Sequence, residues 1–281
     1  MNKVQKVIFN IFLQIAEVLN SANIDYYAVG GTCLGAVRHK GFIPWDDDID
    51  IAIKIEDFDR ALELLAKTLP DYYSVRFFPG HSHYTIMHAK VIDERTTFIE
   101  ESEYKYKDAY KGCFVDIMPL SGVPNGYISR KLFCKRISAY RIFNQIRRLD
   151  WDTIDTKAKK IIHPLFRKFD WLIPEDYYSR KWYNLLRKHP FNESDYVGYV
   201  WWWELERLIY KREVFGKPTP YKFEESTISC PEDAEALLKQ QFNNYMMIPP
   251  KEKQYGHYVG TVDLEHSYHE YVEGKHPLHM M

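Results

Sequence analysis

Val4, Ile8, Ile11, Phe12, Ile15, Val18 and Leu19 recur at helical spacing, which predicts an amphipathic helix over residues 3–20. Tyr26-Tyr27-Ala28-Val29 is a short apolar run that ends at Gly30-Gly31, the pattern of a strand stopped by a turn. Thr32 to His39 reads as a helix opening just past the glycines, and Lys40-Gly41-Phe42-Ile43-Pro44 as a turn. From Asp48 to Ile53 the character alternates. Asp48, Asp50 and Ala52 share one side while Ile49, Ile51 and Ile53 share the other, the period of a half-buried strand. Phe58, Ala61, Leu62, Leu64 and Leu65 return to the helical period. Strands are expected at 73–78, 84–92 and 112–117; in the last, Cys113-Phe114-Val115-Asp116-Ile117 is apolar but for one acid. After residue 128 helical spacing dominates, as in 130–149 and 177–188. Pro124-Asn125-Gly126 is a turn signal. It divides the chain into residues 1–125, strands and helices around a sheet, and residues 126–281, mainly helical. The class is α+β.

Composition narrows the partners. The 281 residues are 46% hydrophobic, ample for a buried core. A net charge of -1 predicts no nucleic-acid or membrane partner unless a local patch supplies one. One such patch exists. Arg130, Lys131, Lys135, Arg136, Arg141, Arg147 and Arg148 interleave with Leu132, Phe133, Ile137, Tyr140, Phe143 and Ile146. That is the pattern of a helix lying on an anionic membrane, or of a solvated basic face. Cys33, Cys113, Cys134 and Cys230 are scattered without a CxxC pair, which excludes zinc-ribbon and thioredoxin-type motifs and points to reduced thiols. No run approaches the roughly 18 apolar residues of a membrane span, and the opening residues lack a signal-peptide pattern. A cytoplasmic placement is expected.

The chemistry concentrates between residues 30 and 50. A glycine pair after a strand lets a phosphate approach the backbone, and N–H groups at a helix start face an anion. Asp48 and Asp50, on one strand face, can hold one or two divalent ions, and Asp116 is the best third ligand because a lone buried carboxylate needs compensation. Magnesium is therefore the expected cofactor, with manganese as its substitute. Three other readings compete: a solvated acid run, a D-x-D glycosyltransferase motif, and a calcium loop. The calcium loop needs Gly and Glu where Ile51 and Asp57 stand. Lys90, on a predicted strand, either touches phosphate or faces solvent. Trp201, Trp202 and Trp203 follow Tyr196 and Tyr199 and adjoin Glu204 and Glu206. Trp201, Trp203 and Glu204 are candidates for a quaternary-ammonium cage, against the alternatives of a sugar platform or packed core. His81-x-His83 and His266-x-x-His269 have metal-like spacing but no companion ligand, and are read as structural or surface residues.

The segment VGGTCLGAVRHKGFIPWDDDIDIAI (29–53) resembles the signature of the LicD family of phosphotransferases, which includes the fukutin-related proteins. FVDIMPLSGVP (114–124) is similar to that family's third-acid segment. NNYMMIPPKEK (243–253) is similar to its tyrosine-proline motif, with Asn243-Asn244 where the family often has Gly-Asp. The resemblance implies a nucleotidyltransferase-type mixed sheet with flanking helices. It implies that Asp48, Asp50 and Asp116 bind metal and that Gly30, Gly31 and Thr32 form the phosphate turn. Arg38 and His39 are assigned to the donor pyrophosphate, and Lys251, Lys253 and His257 to phosphate or acceptor. The implied reaction moves phosphocholine from CDP-choline to a hydroxyl of a teichoic acid, lipopolysaccharide or capsule glycan and releases CMP. A lipid-linked acceptor would place the protein at the inner face of the membrane. The alternatives are transfer of ribitol phosphate from a CDP donor, NMP transfer from an NTP with release of pyrophosphate, and a non-enzymatic glycan-assembly partner.

Overall fold

The computed structural model describes residues 1–77, 87–106, 111–149, 173–199, 205–256 and 259–272. Helix α1 (Lys3–Ser21) starts at a capping box. The Gln5 N–H donates to the Asn2 side chain and the Asn2 N–H to the Gln5 side chain, each at 2.8 Å. The predicted stripe Ile8, Ile11, Phe12, Ile15 and Leu19 is buried, joined by Phe9. Each such side chain contributes about 1.5–3 kcal/mol relative to an exposed one.

The main sheet begins with β1 (Tyr26–Ala28), β2 (Asp50–Lys54), β3 (Tyr73–Arg76) and β4 (Ala89–Asp93). Next, β5 (Thr97–Glu100) lies outside it, and β6 (Phe114–Val123) is its central strand. The order is β1-β2-β6-β4-β3, with β2 and β6 parallel and the other pairs antiparallel. Between these strands lie α2 (Gly30–Arg38) and α3 (Ile55–Thr68). β6 runs past the expected end at residue 117, through Pro119. The proline is tolerated because that edge of β6 is unpaired there: β4 covers residues 114–117, and β7 (Tyr196–Gly198) covers 121–123. β8 (Ile209–Lys211) extends the sheet from β7.

The expected turn at 124–126 separates β6 from α4 (Tyr127–Arg148), and α5 (Tyr177–Leu186) packs against α4. Beyond these come α6 (Arg212–Phe215), the hairpin β9 (Thr219–Phe223)–β10 (Ser226–Cys230), α7 (Ala234–Phe242), β11 (Val259–Asp263) and α8 (Tyr268–Val272). The later part of the chain is stitched to the earlier. β7 joins β6, β11 pairs with β5, and the Tyr27 hydroxyl donates to the Gly216 carbonyl at 2.8 Å. One hydrophobic core spans both, from Phe12 and Phe58 to Trp182, Phe215 and Phe223.

The basic pattern on α4 divides by environment. Phe133 and Ile137 are buried, as is Arg141, while Lys131, Lys135 and Arg136 are exposed beside Ile128 and Leu132. Arg147 donates to the carbonyls of Ile173 and Pro174. Among the described residues no helix is long and apolar enough to cross a membrane. All four cysteines are free and buried.

Candidate functional site

The site is assembled where β1 hands over to α2. The Val29 N–H donates to the Asp50 carbonyl at 3.1 Å, and Gly30 enters the helix at φ +55°, a left-handed conformation that favours glycine. A Cβ on Gly30 would lie 3.4 Å from Asp50 Oδ2, and one on Gly31 only 2.7 Å from Asp46 Oδ2. The bare backbone thus makes room for two carboxylates. Thr32, expected in the phosphate turn, uses its hydroxyl oxygen to accept from the Asp50 N–H at 2.8 Å, which pins the turn to β2. The acidic loop is steadied from α1, where Gln5 Nε2 donates to the Asp46 carbonyl at 2.8 Å.

Strand register does the rest. Asp50 pairs with Asp116 across the parallel β2–β6 ladder, and Lys90 pairs with Asp116 across the antiparallel β4–β6 ladder. Neighbouring strands are about 4.8 Å apart, so the three side chains form one row on one face. Asp48 precedes β2 rather than lying on it. Lys90, whose sequence reading left solvent exposure open, is buried. Its Nζ lies 2.5 Å from Asp116 Oδ1 and 3.4 Å from the centre of the Phe114 ring. His88 Nε2 stands 3.2 Å from the same carboxylate oxygen. Burial alone would raise the Asp116 pKa. The Lys90 ammonium and His88 outweigh it and hold the carboxyl well below its usual range. Burial pushes the His88 imidazole down, with Asp116 opposing, so it is neutral near pH 7.

Gly30, Gly31, Asp48, Asp50, Lys90 and Asp116 all line one cavity of about 560 Å³. The carboxylates supply hard oxygen donors, the chemistry that divalent magnesium requires. Among the described residues, however, no group of three or more His, Cys, Asp or Glu side chains is gathered to hold one ion. At Asp116, Lys90 and His88 already engage the carboxylate.

Other expected residues lie elsewhere. The Arg38 guanidinium donates to the carbonyls of Tyr245 and Met247 at 2.6 and 3.3 Å, and to His39 Nδ1 at 3.4 Å. His39 packs edge-on against Trp45. Neither residue lines the cavity; Arg38 fastens the segment after α7 to the end of α2. Lys251 and Lys253 are exposed on a single 3-10 turn, also away from the cavity lining. Trp201, Trp203, Glu204 and His257 lie outside the described residues, as do His81 and His83. His266 pairs with Asp263 at 2.8 Å and His269 with Glu94 at 2.9 Å, consistent with structural roles.

The sequence reading missed His88, Glu100, Glu103, Lys111 and Arg148, which line the same cavity. A signal existed for His88: it shares strand parity with Lys90 in His88-Ala89-Lys90-Val91, the same alternation that singled out Asp48 and Asp50. Glu100 and Glu103 share one segment while Lys111 and Arg148 come from two others, and no local spacing joins the three.

A glycine-led helix start, a carboxylate row and a buried lysine thus share one α+β sheet, an arrangement suited to the transfer of phosphate-containing groups. Residues 23–136 match the LicD/FKTN/FKRP nucleotidyltransferase domain. The chain is 27% identical over 265 residues to the lipopolysaccharide cholinephosphotransferase LicD of Haemophilus influenzae, covering 91% of this chain and 94% of that protein. It is 42% identical over 50 residues to the human ribitol 5-phosphate transferase FKRP, covering 18% of this chain and 10% of that protein. A Rickettsia prowazekii protein is 39% identical over 70 residues, 25% of this chain and 26% of its own length.

Proposed function

We propose that this protein transfers phosphocholine from CDP-choline to a hydroxyl of a cell-surface glycan (teichoic acid, lipopolysaccharide or capsule precursor) and releases CMP. The observation that carries the reading is the row Asp50–Asp116–Lys90 set beside the Gly30-Gly31 helix start in one cavity. Similarity along nearly the whole chain to a lipopolysaccharide cholinephosphotransferase supports the choice of group.

Asp48 and Asp50, with Asp116 where a cation displaces Lys90, are the residues that would hold magnesium, or manganese in its place. When bound, the ion supplies neutralisation of the diphosphate charge. The N–H groups of Gly30 and Gly31 receive donor phosphate oxygens at the start of α2. The acceptor oxygen forms its bond to the choline-bearing phosphorus as the bond from that phosphorus to the CMP oxygen breaks. The acceptor proton passes to a carboxylate. Lys90 keeps Asp116 ionised and therefore weakly basic, so of the two Asp50 is proposed as the proton acceptor. A lipid-linked acceptor would bring the protein to the inner face of the membrane, where the exposed Lys131, Lys135 and Arg136 suit anionic headgroups.

The FKRP match over residues of the same family supports a second reading, transfer of ribitol phosphate from a CDP donor. Incubation with CDP-choline, CDP-ribitol or CTP, magnesium and a simple sugar separates the possibilities by product. CMP from CDP-choline, lost in Asp50→Asn, is the expected result. Pyrophosphate from CTP without CMP from either CDP donor, or an undiminished rate in Asp50→Asn, would overturn the reading.

A further inference from the structure

The cavity has a second charged wall that the transfer reading leaves unused. Lys111 is 3% exposed, yet its nearest carboxylate oxygens, on Glu100 and Glu103, stand at 3.6 and 3.9 Å. Both distances exceed hydrogen-bond length, and the Lys111 ammonium donates no hydrogen bond to the described residues. An ammonium carries three donors, and at the cavity lining those of Lys111 remain open to a ligand. The Phe114 ring, 5.3 Å from Lys111 Nζ, offers partial compensation, but Lys90 Nζ already sits against that ring at 3.4 Å. Arg148 completes the wall, 3.3 Å from Glu103 and stacked 4.5 Å from the Tyr106 ring. Glu103 is thus shared by two cations. The glutamates hold Lys111 and Arg148 at the cavity without saturating the lysine.

This wall is offset from the carboxylate row. Phe114 precedes Asp116 by two residues on the same face of β6, about 7 Å along the strand. An anion held by Lys111 beside Phe114 is therefore displaced from the Asp50–Asp116–Lys90 row toward the start of β6.

We propose that Lys111, with Arg148 beside it, binds an anionic oxygen, phosphoryl or carboxyl, of a molecule occupying the cavity. The assignment of that molecule as a substrate rests on the transfer reading, whereas anion binding does not. Two sources share the chemistry: the donor's diphosphate and an acidic or phosphorylated sugar of the acceptor.

Calorimetric titration of the full chain with inorganic pyrophosphate, CDP-choline and glucose 6-phosphate tests the site. Wild type, Lys111→Met and Lys111→Arg are compared, with near-ultraviolet circular dichroism as the check on folding. Loss of a charge-assisted contact predicts pyrophosphate binding about tenfold weaker or more in Lys111→Met, and largely retained in Lys111→Arg. Should Lys111→Met fail to fold because Glu100 loses its partner, Lys111→Met/Glu100→Gln removes one charge of each sign and carries the same expectation. Weakened CDP-choline binding assigns the site to the donor. Weakened glucose 6-phosphate binding with CDP-choline unchanged assigns it to the acceptor. No binding by wild type, or equal affinities for all three probes in wild type and the methionine variants, overturns the proposal. Absence of CMP formation alongside a Lys111-dependent pyrophosphate affinity would instead sink the transfer reading and leave the anion site standing.

Discussion

The Asp116–Lys90 pair permits a stability measurement whose outcome follows from burial. Asp116 is 7% exposed and Lys90 5%, and the ammonium lies 2.5 Å from the carboxylate. Asp116→Asn strands an ammonium in a poorly hydrated place; Lys90→Met leaves the carboxylate with His88 alone. Breaking a buried pair in this way costs about 3–5 kcal/mol. Both groups border a cavity that admits water, so the lower end, about 3 kcal/mol for each single variant, is expected. Asp116→Asn/Lys90→Met removes both charges and both desolvation penalties. It should lose no more than either single variant, which makes the coupling about 3 kcal/mol. The assay is urea unfolding followed by tryptophan fluorescence at pH 7 with a chelator present. Additivity of the two single variants to within about 0.5 kcal/mol would refute the reasoning, because the two charges would then not sense each other. Repeating the cycle with magnesium adds a second reading. A cation that shares Asp116 competes with Lys90, and the coupling should shrink.

Three further outcomes are expected. His88 is neutral in the fold because burial lowers its pKa below the ordinary 6.5, so the unfolded chain takes up its proton first. Stability is therefore present above about pH 6.5 and lost as the pH falls, with a second loss below 3.8, where the unfolded counterpart of Asp116 protonates. His88→Gln should flatten the urea midpoint between pH 7 and 5; an unchanged slope would count against a neutral buried imidazole. Gly30→Ala forces a side chain to φ +55° beside Asp50 and should cost about 1–2 kcal/mol, seen as a lower melting temperature, whereas an unaltered melt would contradict the left-handed turn. Arg38→Met removes the two hydrogen bonds that hold Tyr245 and Met247, and should speed tryptic cleavage at Lys251 and Lys253 while CDP-choline affinity changes little. Loss of CDP-choline binding with unchanged proteolysis would return Arg38 to the donor site.

Local periodicity carried much of the fold into view because it reports burial directly. The stripe on α1 and the alternation at 48–53 both correspond to faces turned toward the core, and the helices at 127–148 and 177–186 lie close to their expected spans. What periodicity cannot express is partnership. Asp48, at the right parity, precedes the strand because β2 is paired from Ile51 on the β1 side and from Asp50 on the β6 side. Arg38 sits inside a family signature, but its contacts are carbonyls far along the chain. Lys111, Glu103 and Arg148 meet only because α4 returns over the cavity, a juxtaposition with no local pattern. Lys90 was legible as a strand residue, but its ion pair depended on which strand lay beside it.

The dependence of the site on register follows from this. β6 presents Phe114, Asp116 and Met118 to the cavity, while Val115 and Ile117, between them, are fully buried on the opposite face. A slip of one residue would turn Asp116 into the core and bring an aliphatic side chain to the cavity. The carboxylate would then be buried without Lys90, at a cost of several kcal/mol, and two core contacts would be lost with it. The apolar face of β6 thus fixes the placement of its one acid. The parallel ladder to β2 places Asp50 beside it, and the antiparallel ladder to β4 supplies the lysine. The same residues that stabilise the centre of the sheet therefore set the geometry at which phosphate chemistry is proposed, and a core substitution on β6 is expected to alter both together.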